Sequence, residues 1–279
     1  EIKALTATEY LSLPQPPQRW VIDQLVPAQS LVVLWGPAKE GKTTLALQAG
    51  CAVTQGTPFL GYDTQRGTVL LLQFDTPRPE LTQILIRLSS HGLAMDGLYL
   101  PDPDQLDLYK PLNILDKHAL FYLQSLIGLV KPSLVIVDCF RELGNFKENE
   151  SGDQRTIAAA LRSLTSNHPT NPCACLLIHH TTKLTGKEAT PNAKDAGRGS
   201  SYLAGAVDSI WFLINLASKL TPGLPESKPC TLRIVQRESG LWLATRGLQQ
   251  GLLNPVNQQI QATRGHNDRF LTIIIPGMH

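Results

Sequence analysis

Apolar positions along this chain follow two alternating patterns. The first is a set of short, nearly unbroken apolar runs: SLVVLW (30–35), GTVLLLQF (67–74), SLVIVDCF (133–140), CACLLIHH (173–180), VDSIWFLI (207–214) and CTLRIVQR (230–237), with a shorter LWLAT near 241–245. Runs of this length with no polar face predict strands buried on both sides. The second pattern is helical. Residues 43–55 lead to Gly56, residues 79–91 space Leu81, Ile84, Leu85 and Leu88 along one face, 116–130 stop at Lys131-Pro132, and 153–166 follow the third run. Residues 97–115 read as loop with a short strand at LYL, and 182–199, rich in Lys, Gly, Thr and Asn, read as a mobile loop. Strand–helix alternation predicts an α/β fold: a mostly parallel, twisted sheet with helices on both faces and ligands at the carboxyl ends of its strands. The pattern divides the chain into an N-terminal arm (1–20, Pro- and Gln-rich near its end), a core (21–250) and a Gln/Asn-rich C-terminal tail (251–279) that ends in FLTIIIPGMH and is either loose or an added strand.

Composition narrows the function. The 279 residues are 42% hydrophobic and 17% charged, enough to bury one large α/β core. A formal net charge of +2 does not describe a strongly basic nucleic-acid binder, so any such contact has to come from a local basic loop. The five cysteines are an odd number. Cys51, Cys139 and Cys175 lie in or beside apolar runs, where buried thiols are usual, and the Cys173-x-Cys175 pair lacks the second pair a structural zinc needs. A reducing, cytoplasmic compartment is expected, with neither a membrane span nor a signal-peptide pattern.

The stretch Gly36-Pro37-Ala38-Lys39-Glu40-Gly41-Lys42-Thr43 fits G-x-x-x-x-G-K-[ST], and it leaves a strand and opens a helix. In that context backbone N–H groups of Gly36, Pro37's neighbours, Ala38, Lys39, Glu40, Gly41 and the helix start, through Thr43 and Thr44, surround the phosphates of ATP. Lys42 reaches the β- and γ-phosphates, and the Thr43 hydroxyl can ligate Mg²⁺. Lys39 and Glu40 stand where such loops often carry glycine, so their side chains must point outward. Asp138 closes the third apolar run, where a carboxylate holds the Mg²⁺ through water. Asp75 follows the second run, from where it could orient the attacking water, although Thr76-Pro77 behind it also suits a helix cap. Glu80 stands five residues further on.

The order of these parts, followed by LLIHHTTK and GRGSSYLAGAVDSIWFL, resembles the RecA-like ATPases of the RepA type, compact hexameric replicative helicases, over about residues 18–245. RELGNFKENESGDQ (141–154) is similar to that family's segment after the Mg²⁺-associated Asp; HHTTK (179–183) and GRGSS (197–201) are the most specific pieces. The resemblance implies a RecA-like P-loop core, ATP with Mg²⁺, and a role for His180 as the polar sensor of the γ-phosphate. It matches Asp75 to the family's catalytic glutamate, one methylene longer. It also implies a transition-state arginine from the neighbouring subunit. The RepA type carries one in the segment matching GAVDSIW, where this chain has Asp208; Arg237, after the late strand, is the candidate here, with Arg233 and Arg198 as alternatives. DNA-facing loops would be 141–155 and 182–199, the latter with Lys183, Lys187, Lys194 and Arg198 against Glu188 and Asp195, and no aromatic until Tyr202. Implied partners are single-stranded DNA, further copies of the chain in a hexamer, and primase or other replication proteins, with no membrane. The implied activity is an ATP-dependent, ring-forming helicase or translocase, a bare motor core without a separate primase-binding domain. A nucleotide switch that does not unwind DNA is the alternative, favoured by Asp75 and Asp208; a small-molecule kinase fits poorly with the HHTTK and GRGSS pieces.

Overall fold

Each apolar run becomes a strand because both of its faces find a partner. The computed structural model describes residues 3–14, 17–38, 41–108, 112–145, 151–180, 201–215, 230–236, 261–263 and 271–275. In chain order these form α1 (Ala7–Leu11), β1 (Trp20–Ile22), β2 (Val26–Pro27), β3 (Leu31–Gly36), α2 (Lys42–Gln55), β4 (Val69–Gln73), α3 (Arg78–Ser90), β5 (Leu98–Tyr99), α4 (Pro103–Asp107), α5 (Lys117–Val130), β6 (Leu134–Asp138), α6 (Ser151–Leu164), β7 (Ala174–His180), α7 (Ser201–Ala206), β8 (Ser209–Asn215), β9 (Cys230–Gln236), β10 (Gln261–Thr263) and β11 (Leu271–Ile275). A 3₁₀ turn, Phe140–Leu143, follows β6.

The main sheet has the order β10-β11-β9-β8-β3-β7-β6-β4-β5. From β8 to β5 the six strands are parallel. The remaining three, β9, β11 and β10, are antiparallel additions at one edge. The expected fold class, an α/β core of RecA-like type with a mostly parallel sheet, is the one observed. The tail's two alternatives resolve toward added strands at β10 and β11. LWLAT lies outside the described residues.

Alternation along each strand sorts the core into two layers. Val32 and Leu34, Val69 and Leu71, Ile136, Leu176 and Trp211 pack beneath α2 and α3 through Leu45, Ala49, Val53, Leu81 and Leu88. Leu31, Val33 and Trp35, Leu70 and Leu72, Val135 and Val137, Leu177 and Phe212 face α5 and α6 through Leu123, Ile127, Ile157 and Leu161. Each such side chain contributes about 1.5–3 kcal/mol by leaving water.

Helix ends follow local chemistry. α2 stops at Gly56, φ 69°, whose N–H donates to the Ala52 and Val53 carbonyls. The Asp116 carboxylate caps α5 by accepting from the His118 and Ala119 N–H groups, and Lys131 takes a left-handed turn before Pro132. Two short helices depart from the expected pattern. α4 starts on the Asp102 cap, inside the stretch that reads as loop. α1 stands in the arm on a capping box: the Thr6 hydroxyl accepts from the Glu9 N–H while the Glu9 carboxylate accepts from the Thr6 N–H. Among the described residues no helix is long and apolar enough to cross a membrane.

Candidate functional site

Four strand ends meet at the carboxyl edge of the sheet, on either side of the point where strand order reverses at β3. Gly36, last in β3, lies in register with His180, last in β7. Gln73, last in β4, lies in register with Asp138, last in β6. Gly36 has no room for a side chain, since a Cβ there would stand 2.8 Å from the Leu213 carbonyl oxygen. The chain enters α2 through Gly41 at φ 82°, a left-handed conformation suited to glycine. Pro37 and Ala38 open the loop; Lys39 and Glu40 lie outside the described residues. α2 has no side-chain cap and no acidic residue in its first turn, so the positive end of its dipole is left for an anion.

Lys42 is only 4% exposed. Its ammonium donates to the Pro37 carbonyl at 2.6 Å, which holds the charge inside the loop that precedes it. Thr44, half-buried, follows in the first turn. The Thr43 hydroxyl donates to Asp138 Oδ2 at 2.6 Å. Burial pushes the Asp138 carboxyl above the ordinary carboxylate range, and the bonds from Thr43 and Gln73 partly offset it. A divalent cation fits here: a hydroxyl and a buried carboxylate already touching are an oxygen donor set suited to Mg²⁺, and the ion's charge would oppose the cost of burying the carboxylate.

Contrary to expectation, Asp75 does not end a strand, and it does not cap a helix. β4 stops two residues earlier, because the Gln73 side chain bends the chain. Its Oε1 accepts from the N–H groups of Asp75 (2.9 Å) and Thr76 (3.2 Å), while its Nε2 donates to Asp138 Oδ2 (2.9 Å) and Thr76 Oγ1 (3.1 Å). The N-cap of α3 is Pro77, and Glu80 stands exposed in that helix's first turn. Asp75 is thereby carried to His180, whose Nε2 is 3.5 Å from Asp75 Oδ2. Gln73 is the residue that sequence reasoning missed; a lone amide closing an apolar run was the available signal.

The two adjacent histidines part company. His179 is buried between Phe140 and Trp35, with ring centroids at 4.7 and 6.3 Å, and burial holds its imidazole down at about 4, so it is neutral. His180 turns toward Asp75. Burial also pushes the Cys139 thiol, next to Asp138, up to about 12, so it is no free nucleophile at neutral pH.

Asp208 sits at the opposite edge of the sheet. Its Oδ2 accepts from the Leu31 N–H at 2.8 Å, and its carboxylate pairs with Arg162 of α6 at 3.0 Å. Leu31 opens β3, so this clamp is roughly 17 Å along the strand from Gly36 at about 3.3 Å per residue. Arg233 lies within β9, opposite Phe212 and Thr272. Arg237, Lys183, Lys187, Lys194 and Arg198 lie outside the described residues.

Comparisons with known proteins agree with this architecture. No curated protein matches the sequence. The chain is similar in structure to a solved helicase ATPase domain, with a TM-score of 0.54 over 76% of this chain and 78% of that one, at 14% sequence identity. A likeness at that identity speaks for the shared RecA-like fold. The model of a family described as AAA domain matches residues 1–186, well over half of the 279, and includes the P-loop, Asp75, Asp138 and His180. The chain belongs to the AAA domain family.

Proposed function

We propose that this chain is the motor core of a ring-forming, ATP-dependent DNA helicase or translocase that acts on single-stranded DNA in replication. The observation that carries the reading is the position of His180. It ends β7 beside Gly36 of the P-loop strand, stands 3.5 Å from Asp75, and leads within three residues to Lys183 and the basic segment beyond. A change at the γ-phosphate therefore has a short path to a segment with the charge to follow a phosphate backbone.

In this reading ATP is the substrate. Lys42 and the loop N–H groups hold its phosphates, and Thr43 with Asp138 hold the metal. Mg²⁺, when bound, withdraws charge from the phosphate oxygens. Asp75 orients the attacking water, with Gln73 fixing the turn that presents it. His180 senses the γ-phosphate through Asp75. Arg237 of a neighbouring copy supplies the transition-state cation, and the assembly is a hexamer that meets primase or other replication proteins.

One observation favours a second reading, a nucleotide switch that does not unwind. Asp208 is committed to Leu31 and Arg162, so the segment that carries an arginine in the RepA type is here a structural clamp. The deciding measurement is the ATPase rate with and without single-stranded DNA, on protein whose mass in solution is measured in the same sample, with Lys42→Ala as the inactive control. Stimulation by DNA in a ring-sized assembly supports the motor. Slow turnover that DNA does not change gives the switch the lead.

A further inference from the structure

We infer that Asp75, Cys139 and His180 form a second metal site, separate from the Thr43–Asp138 pair, that takes a borderline transition ion such as Zn²⁺ and arrests the enzyme when filled. The three come from three different strand ends: the turn after β4, the residue after β6, and the end of β7. Nothing in their sequence spacing resembles a ligand motif. In the fold, one ligand atom from each lies within 4.8 Å of the other two. The edge from Asp75 Oδ2 to His180 Nε2 is 3.5 Å. That matches the roughly 3.4 Å edge of a tetrahedron with bonds of about 2.0–2.1 Å, the values for zinc with carboxylate and imidazole.

The chemistry of the set separates it from its neighbour. Thr43 and Asp138 offer hard oxygens, as Mg²⁺ requires. A thiolate, an imidazole and one carboxylate are the softer set that selects Zn²⁺, Co²⁺ or a similar ion over Mg²⁺ even when Mg²⁺ is in excess. Cys139 is 1% exposed and forms the floor, whereas Asp75 is exposed and His180 half-buried, so an ion has an entry from solvent. His180 Nδ1 is buried and has no hydrogen-bond partner among the described residues, so no such bond there holds the ring against the small rotation that closing the site needs. Three protein ligands leave a fourth position for water. On coordination the Cys139 thiol gives its proton to solvent.

The plainer account is that Cys139 is an apolar filler and that Asp75 and His180 are a surface ion pair. It explains each residue but not why all three converge. The arrest rests on the proposed function, because the ion would occupy the two groups assigned to water positioning and γ-phosphate sensing.

The test separates binding from turnover. The full chain is titrated with Co²⁺ in excess Mg²⁺ and read by visible absorption, and Zn²⁺ is then added in competition. One equivalent of tetrahedral Co²⁺ with a sulfur-to-cobalt charge-transfer band, displaced by Zn²⁺, is expected. Cys139→Ser should lose that band, and Asp75→Asn, at an exposed position where folding is secure, should weaken binding more than about tenfold. No sulfur band in the unaltered chain, or the same binding in both variants, overturns the site. In parallel, Zn²⁺ should lower the ATPase rate of the unaltered chain in a chelator-reversible way and leave Cys139→Ser near its own basal rate; equal inhibition of both overturns the arrest. A chain that hydrolyses no ATP at all would refute the proposed function, while the cobalt spectrum still decides the metal site.

Discussion

Gln73 shows how much a single side chain can decide. It uses its whole amide: the carbonyl holds two backbone N–H groups of the 75–76 turn, and the amino group reaches Asp138 and Thr76. Gln73→Leu keeps the apolar packing of β4 and removes all four bonds. The expected result is an ATPase turnover about 10- to 100-fold lower with KM for ATP little changed, because positioning of Asp75 and Asp138 is lost while the phosphate loop is intact. A matching rise in KM would show that Gln73 holds the P-loop instead. His179 makes a different prediction, about stability. Its imidazole is held from the ordinary 6.5 down to about 4 by burial. The unfolded chain therefore binds more protons than the folded one between those values, and stability rises with pH across that window and falls as pH drops through it. The full difference is about 3 kcal/mol at 1.36 kcal/mol per unit. His179→Phe, which keeps the ring beside Trp35 and Phe140, should flatten that part of the profile in urea unfolding compared between pH 7 and pH 4.5. An unchanged slope would mean that His179 reaches solvent when protonated.

At the scale of elements, the Asp208 clamp explains why this chain does not tolerate an arginine there. Asp208 joins the starts of β3 and β8 to α6 by accepting from the Leu31 N–H and from Arg162, whose guanidinium also donates to the Ala206 carbonyl. Asp208→Arg would set two cations side by side and leave a fully buried N–H without its acceptor. The expected loss is about 1–3 kcal/mol, mostly from the orphaned N–H, since both ionic partners are about a third exposed and their attraction is screened. Asp208→Asn, which keeps the acceptor, should cost less than about 1 kcal/mol in the same urea titration; equal losses would assign the effect to charge. The same clamp marks what the sequence could tell. The central strands were legible because each is an unbroken apolar run, and the P-loop because its eight residues are contiguous. The end of β4 was missed because the turn is made by Gln73 with a partner, Asp138, 65 residues away. α1 carried its signal openly, Thr6 and Glu9 three apart, but a Pro-rich neighbourhood masked it. The meeting of Asp75 with Cys139 and His180 was illegible, because strands β4, β6 and β7 adjoin in an order the chain does not follow.

For the whole molecule, the direction of β9 decides how Arg237 could act. β9 runs antiparallel to β8, and its last residue, Gln236, pairs with Ser209 at the start of β8. Ser209 in turn pairs with Val32 near the start of β3. The chain thus leaves β9 at the amino edge of the sheet, two strands across from β3 and four residues below Gly36. At about 3.3 Å per residue and 4.8 Å between strands, that is roughly 16 Å from the end of the P-loop strand, beyond the reach of one arginine side chain. A role for Arg237 in hydrolysis therefore requires a second copy, whose phosphate loop faces this edge. Arg237→Ala is expected to leave ATP affinity nearly unchanged and to lower turnover by up to about 10³. Lys42→Ala removes turnover by disabling the loop but keeps the arginine. Mixed assemblies then contain interfaces in which an intact loop from the first variant meets an intact arginine from the second. Turnover in the mixture should exceed that of either variant alone and peak near equal proportions, at a mass that shows both chains assembled together. Full turnover in Arg237→Ala by itself would remove the residue from the mechanism. No recovery at any ratio, in assemblies shown to contain both chains, would mean that the cation comes from elsewhere in the ring.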